Sequence, residues 1–469
     1  MCFSEQWRSL ALFPCGLYRC LMLLTNLSIP APPVVPVFFL RIGPVTPQGL
    51  PAFPSVEEGS SNRNRRGGGV TRASPRDCSV CAPSMRPQKE KNTVLGAPVV
   101  AFSFNRDFSE AIFSPNNHQL VIVRCDDISD CSTWGVEATL EQHDQSVSAT
   151  AWHGTTGKIL SCAHDRMAYV WYRDSKEKWK PQMVLLDVGV KRGLTCCAWN
   201  FSGSKIYVGS ADANIAVGRF ECSEQWWICR LLTGHTSTVT ALAPHPSDDA
   251  LLASGGADGN LLLVSTYMKK LDTTKSRPFG YVYFEKKFSA WVHAVTWTPS
   301  GQRLAVSTHD SRVSVLDVVY SEIVEGGKEA VTLHTINMTI LPLRALAFID
   351  EDQLVGGGFD YYPVIFALEE ERGWRMTGKW VVAHAKEIVT TQQLARAKFE
   401  GDARVGRVNM FEEERSRHKN TINFVCCLTA LNPRPGAAEK LSDTERPLFA
   451  TAGLDGRVEV WARKDVTKL

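Results

Sequence analysis

Short apolar runs, each broken by a tight polar turn and then resumed, recur along most of the chain. "ILSCAHDRMAYVW" (159–171) and "LFATAGLDGRVEVW" (448–461) are near copies: small and apolar residues, an Asp-containing turn, then alternation ending in Trp. Alternation over a few residues on either side of a turn predicts paired short strands. The turn residue forms a series: Asn117, Asp165, Asp212, Asp258, Asp310, Asp360 and Asp455. A further strand-like run precedes each hairpin, as in "VSATAWH" (147–153) and "VHAVTWTP" (292–299). Four short strands per unit, at a period a little above 40 residues, predict a blade-type propeller.

The steps between turns are 48, 47, 46, 52, 50 and 95 residues. We read the double-length last step as an insertion, 387–420, between the sixth and seventh units. It shows no alternation and many charges. The fold expected is all-β: a seven-bladed propeller over 90–469 with a partly helical insertion between blades 6 and 7. Within the insertion, Thr390 to Gln393 has capping-box spacing, helix formers follow, and Gly401 is placed to stop a helix. Leu394, Ala395, Ala397 and Phe399 then spread over a wide arc opposite Arg396. A short isolated helix is marginal in water, so these four are candidate partner-binding residues. The alternative is that Leu394 and Phe399 fold back on a blade flank.

Residues 1–84 break the pattern. Residues 10–40 are greasy, but Arg19, Asn26 and five prolines interrupt any spanning helix. Residues 55–90 are rich in Ser, Arg, Gly and Pro without period. We read 1–84 as a non-globular N-terminal extension. Either it is upstream sequence ahead of a working start at Met85, or it is a targeting tail. The strand completing the last blade is expected from "NTVLGAPVV" (92–100), because only a few residues follow Trp461.

Composition narrows the function. The 469 residues carry 52 basic and 49 acidic side chains, a net +3. That is no footprint for nucleic acid, and neither nucleic acid nor membrane is expected as a partner. The 14 cysteines form no framework and read as small hydrophobes in a reducing compartment. Cys78-x-x-Cys81 is the one metal-like spacing, and it lacks a second pair. No metal site and no cofactor is expected.

Ser, His and Asp recur at fixed offsets, which invites a catalytic-triad reading. The set is His143, Ser161, Asp165 and Trp171, then His418, Thr451, Asp455 and Trp461. A third unit has His235, Ser254 and Asp258 with Val264 in the Trp position. An active site needs one place, whereas this set repeats. It reads as a brace for each blade, and no catalytic residue is assigned.

These residues resemble the buried network of WD repeats. From about residue 92 the chain resembles a particular family, the WD-repeat subunit 1 of the actin-related protein 2/3 complex. The resemblance rests on "IFSPNNHQLVIV", "HDRMAYVWYRD", "ECSEQWWICRLL", "AWVHAVTWTPSGQRLAVSTHDSRVSVLD" and "LVGGGFDYYPVIFALEEERGW". It implies a non-catalytic scaffold in a seven-protein assembly that nucleates branched actin filaments. The partners implied are the other subunits including an actin-related protein, the actin filament and nucleation-promoting factors. The implied location is the cytoplasm and actin cytoskeleton. The alternative is a generic WD-repeat adaptor in another multiprotein complex.

Overall fold

A computed structural model describes residues 93–186, 189–272, 276–325, 331–381, 416–428, 447–463 and 467–468. Residues 1–84, the Cys78/Cys81 pair and the candidate helix with Leu394, Ala395, Ala397 and Phe399 lie outside the described residues. The chain divides between Ser84 and Met85. Within the second unit seven antiparallel blades follow in chain order, blades 2 and 3 joined by a short parallel pairing of their outer strands at Trp227–Val184 and Ile228–Leu185, with one α-helix, Tyr320–Glu325, and a 3-10 turn, Cys131–Thr133, among the described residues. Blade 1 runs from Ala101 to Leu140, blade 2 from Val147 to Leu185, blade 3 from Leu194 to Leu232 and blade 4 from Val239 to Lys287. Blade 5 spans Val292 to Asn337, blade 6 Leu343 to Lys379 and blade 7 Ile422 to Ala462.

Position within the blade sets the hydrophobic pattern. The two middle strands of blade 4, Leu251–Gly256 and Asn260–Ser265, are buried at every residue. Both of their faces are covered by neighbouring blades, so they read as continuous apolar runs and not as alternation. The outer strand Val331–Asn337 of blade 5 is mostly exposed and carries His334 and Asn337. Seven hydrophobic clusters result, one at each junction of adjacent blades. Tyr207, Ile215 and Val217 of blade 3 pack on Leu252, Leu262 and Val264 of blade 4. Phe102, Phe104 and Phe113 of blade 1 pack with Ala450, Ala452 and Val458 of blade 7, which closes the ring. No blade buries its own faces, so each depends on its neighbours.

Polar ties reinforce two of the junctions in the same way. The Trp199 indole donates to Ala151 O at 3.0 Å, and Trp297 donates to Ala243 O at 2.9 Å. In each pair a histidine of the earlier blade, His153 or His245, meets a backbone carbonyl of the later one at 3.2 Å. Lys205 of blade 3 is fully buried, although lysine ordinarily marks a surface. Its Nζ donates to Asp249 O, Thr266 O and the Asp272 carboxylate, at 2.9, 3.0 and 2.6 Å. Burial lowers its pKa and the Asp272 charge offsets part of that.

Blade 7 has three strands of its own. Alongside the third, Val94 bridges Arg457, Val458 N donates to Thr93 O at 2.9 Å, and Leu95 N donates to Gly456 O at 2.8 Å. The expected closing segment therefore lies at this edge, as a short bridge. Gly456 suits it: φ is +74°, and a Cβ would meet Ala97 O at 2.6 Å. The chain's end goes elsewhere. Thr467–Lys468 pairs with Gly378 and Lys379 on the outer strand of blade 6.

Candidate functional site

The repeated Asp–His–Ser–Trp residues meet inside their blades. In blade 2, His143 Nδ1 lies 2.9 Å from Asp165 and His143 Nε2 lies 2.9 Å from Ser161 Oγ. The Trp171 indole donates to the same Ser161 oxygen at 2.9 Å. Blade 7 reproduces this. His418 is 3.1 Å from Asp455 and 2.7 Å from Thr451, and Trp461 donates to Thr451 at 2.8 Å. In blade 4, His235 is 3.1 Å from Asp258 and 2.9 Å from Ser254, with Val264 buried at the Trp position.

Chemistry assigns the protons. A carboxylate only accepts, so Nδ1 carries the hydrogen facing Asp. In the neutral ring Nε2 then accepts from the hydroxyl, and the hydroxyl oxygen accepts from the indole. The Asp also fastens the turn: Asp165 accepts from the amides of Asp144 at 2.9 Å and Met167 at 2.8 Å. Burial lowers the pKa of His143, and the Asp165 charge offsets part of this. For Asp258 burial alone pushes upward. Bonds from the Thr236 and Asn260 amides and from His235 outweigh it and hold the carboxyl below its ordinary value. Asp455 is held low in the same way, chiefly by His418 against the effect of burial.

Although Ser, His and Asp stand in triad order, Ser161, Ser254 and Thr451 have no exposed surface. In blades 2 and 7 an indole N–H occupies the oxygen a substrate would need to approach. The arrangement stiffens a turn, and it leaves no open nucleophile at these positions.

The other turns are held differently. Asp212 accepts from the backbone of Lys191 and Arg192. Asp310 accepts from Ser289 Oγ at 2.6 Å and pairs with Arg312 at 3.2 Å. Asp360 accepts from Leu341 N at 2.6 Å, and Asn117 Oδ1 accepts from Gln119 N at 2.8 Å.

Blades 5 and 6 expose apolar and aromatic side chains beside their turns. Trp291 is 56% exposed and stacks on His309, with ring centroids 5.5 Å apart. His309 contacts His293, which meets Phe359 of blade 6. Beside Phe359 and Asp360, Tyr361 is 41% exposed, and Leu341 is 52% exposed. Ser416, the first described residue of the 387–420 insertion, donates to the Tyr361 carbonyl. The insertion thus re-enters the described fold beside this apolar rim. Sequence reading passed over Trp291, Leu341 and Tyr361, although "AWVHAV" and "FDYYP" place aromatic residues at loop positions. Among the described residues no group of three potential metal ligands occurs, and no helix is long and apolar enough to cross a membrane.

Seven blades in a closed ring, three of them fastened by Asp–His–Ser/Thr chains, define a WD-repeat β-propeller. The "WD domain, G-beta repeat" family matches residues 134–172 and 226–264. Each match runs from the outer strand of one blade into the third strand of the next and takes in the Trp171 or Val264 position. Among curated proteins, actin-related protein 2/3 complex subunit 1A of Arabidopsis thaliana is 30% identical, over 77% of this chain and 93% of its own length. Subunit 1 of Schizosaccharomyces pombe is 28% identical over 78% and 97%, and subunit 1A-B of Xenopus laevis 27% over 78% and 94%. The chain belongs to the actin-related protein 2/3 complex subunit 1 family.

Proposed function

We propose that this chain is the propeller subunit of an actin-related protein 2/3 complex, a non-catalytic scaffold that supports nucleation of branched actin filaments. The observation that carries the reading is the extent of the match to subunit 1A, 77% of this chain and 93% of that relative's own length. The buried hydroxyls of the braces support a structural role over turnover. The exposed rim of Trp291, Leu341 and Tyr361 supports a docking surface on blades 5 and 6, since clustered exposed aromatic and apolar residues mark partner contacts. The partners are the other subunits, including an actin-related protein, together with the actin filament and nucleation-promoting factors. The place of action is the cytoplasmic actin cytoskeleton.

Within this reading the insertion makes a contact with actin surfaces through Leu394, Ala395, Ala397 and Phe399. The test is the full complex reconstituted with wild-type chain or with Leu394→Ala/Phe399→Ala. Branch density per filament length is expected to fall with the variant, while assembly and the melting curve stay unchanged. Unchanged branching with a lowered melting point would return both side chains to a blade flank. A chain that fails to enter the complex at all would favour an adaptor in a different assembly.

A further inference from the structure

The innermost strands of blades 2 to 7 share one irregularity. Each shifts register against the next strand by one residue, and the residue left out of the ladder is Ser148, Thr195, Thr240, His293, Arg344 or Asn423. A bulge re-aims the side chain it carries. All six line one axial cavity of about 430 Å³.

The six are not equivalent. Ser148 donates to Cys162 O at 3.1 Å within its blade. Thr195 donates across to Val239 O of blade 4, and Thr240 to Val292 O of blade 5, each at 2.6 Å. Asn423 Nδ2 reaches Val99 O, next to blade 1, at 3.4 Å. In blades 5 and 6 this series of ties is interrupted. His293 turns its Nε2 to His309 Nδ1 at 2.8 Å, which leaves its own Nδ1 free. Arg344 has no hydrogen bond and no ion pair among the described residues. Arg344 is exposed to the channel, and the surrounding wall lowers the guanidinium's pKa by partial desolvation. Among the described residues no carboxylate lines the cavity. Thr150 Oγ1, on the same wall, is buried without a partner.

A cation that lines a cavity with no counter-charge in the lining favours an anion beside it. We propose that the axial channel binds a small phosphate-type oxyanion between Arg344 and His293. The guanidinium fork matches two oxygens of a phosphate. His293 of blade 5 and His164, at a turn of blade 2, also line the cavity, and donors on different blades suit a tetrahedral group better than a planar carboxylate. The cavity volume admits one phosphate, or a diphosphate with water.

The test is isothermal titration of the full chain with inorganic phosphate, pyrophosphate and acetate at constant ionic strength. Wild type is compared with Arg344→Leu, Arg344→Gln and a control, Arg230→Leu, whose guanidinium stacks on Phe279 outside the channel. Pyrophosphate is expected to bind at one site per chain. Both Arg344 variants should weaken it about tenfold or more, the loss of a charge-assisted bidentate contact, and Arg230→Leu should not. Without ligand, Arg344→Leu should melt no lower than wild type, since it loses no partner. If it fails to fold, Arg344→Gln carries the comparison. Equal affinity in wild type and the folded Arg344 variants, acetate binding as tight as pyrophosphate, or no phosphate binding at all would each overturn the proposal.

Discussion

Blades 2 and 7 and blades 5 and 6 are built on the same four-strand plan and use their turns in opposite ways. In blades 2 and 7 the turn Asp, a loop His, a strand hydroxyl and a Trp form one buried chain of hydrogen bonds. In blades 5 and 6 the turn Asp is held by Ser289 and Arg312 or by the Leu341 amide, with no His–hydroxyl–indole chain behind it. Those blades instead expose Trp291, Leu341 and Tyr361 and carry His293 and Arg344 at their inner bulges. A fully satisfied polar network fixes a loop but uses up its side chains. A blade without one has side chains free for contacts. Departures from a repeat's own rule are where functional residues are expected.

The largest effect should come from the ring that ends the brace. Trp171→Ala removes a buried aromatic and should cost about 3–5 kcal/mol, whereas Trp171→Phe keeps the ring and loses one bond, about 1 kcal/mol. Denaturant midpoints of the two variants separate packing from bonding. Equal losses would mean that packing of the ring contributes nothing beyond its bond, and no loss in Trp171→Phe would mean that the indole N–H contributes nothing.

The turn Asp comes next. Asp165→Ala strands a buried histidine and two amides and should cost about 1–3 kcal/mol. Asp360→Ala frees one loop amide that water can reach, and the same measurement should register about 0.5 kcal/mol or less. A reversed order would break the contrast between the two kinds of blade.

A smaller, graded effect should appear with pH. Burial lowers the folded-state pKa of His143, His153 and His245, and that of His293 to about 4, the last with added repulsion from His309 and Arg344. A histidine with a depressed folded pKa binds its proton more readily when unfolded. Stability is therefore full above the unfolded value near 6.5 and declines as pH falls through that value toward the folded one. Asp258 and Asp455 shift downward too, so their contribution persists above the ordinary carboxylate range and is lost only as pH falls through their lower folded values. Urea midpoints measured from pH 8 to pH 5 should fall below about pH 6.5. A Gln at His143 should flatten part of that slope, and an unchanged slope would remove His143 from the account.

The braces were legible in the sequence because the same offsets recur: Ser161 and Thr451 lie four before their Asp, Trp171 and Trp461 six after. The missing Trp at Val264 was legible too. The ring of bulges was not, because a bulge is a matter of register between strands, and Ser, Thr, His, Arg and Asn share no residue type. The burial of Lys205 has no local signal, because its partner Asp272 lies 67 residues away, beyond any local pattern. The strand Thr467–Lys468 is too short to show alternation, so its place on blade 6 had no signal. Closure by the segment after residue 92 was legible as a count of strands, though its length was not.

The central claim, a structural propeller in an actin-nucleating assembly, is tested most directly by purifying the endogenously tagged full chain under native conditions and measuring the stoichiometry of what accompanies it. The account predicts a fixed set of partners in equal amounts that includes two actin-related proteins. A stable set containing no actin-related protein, or a chain that purifies alone, would contradict it.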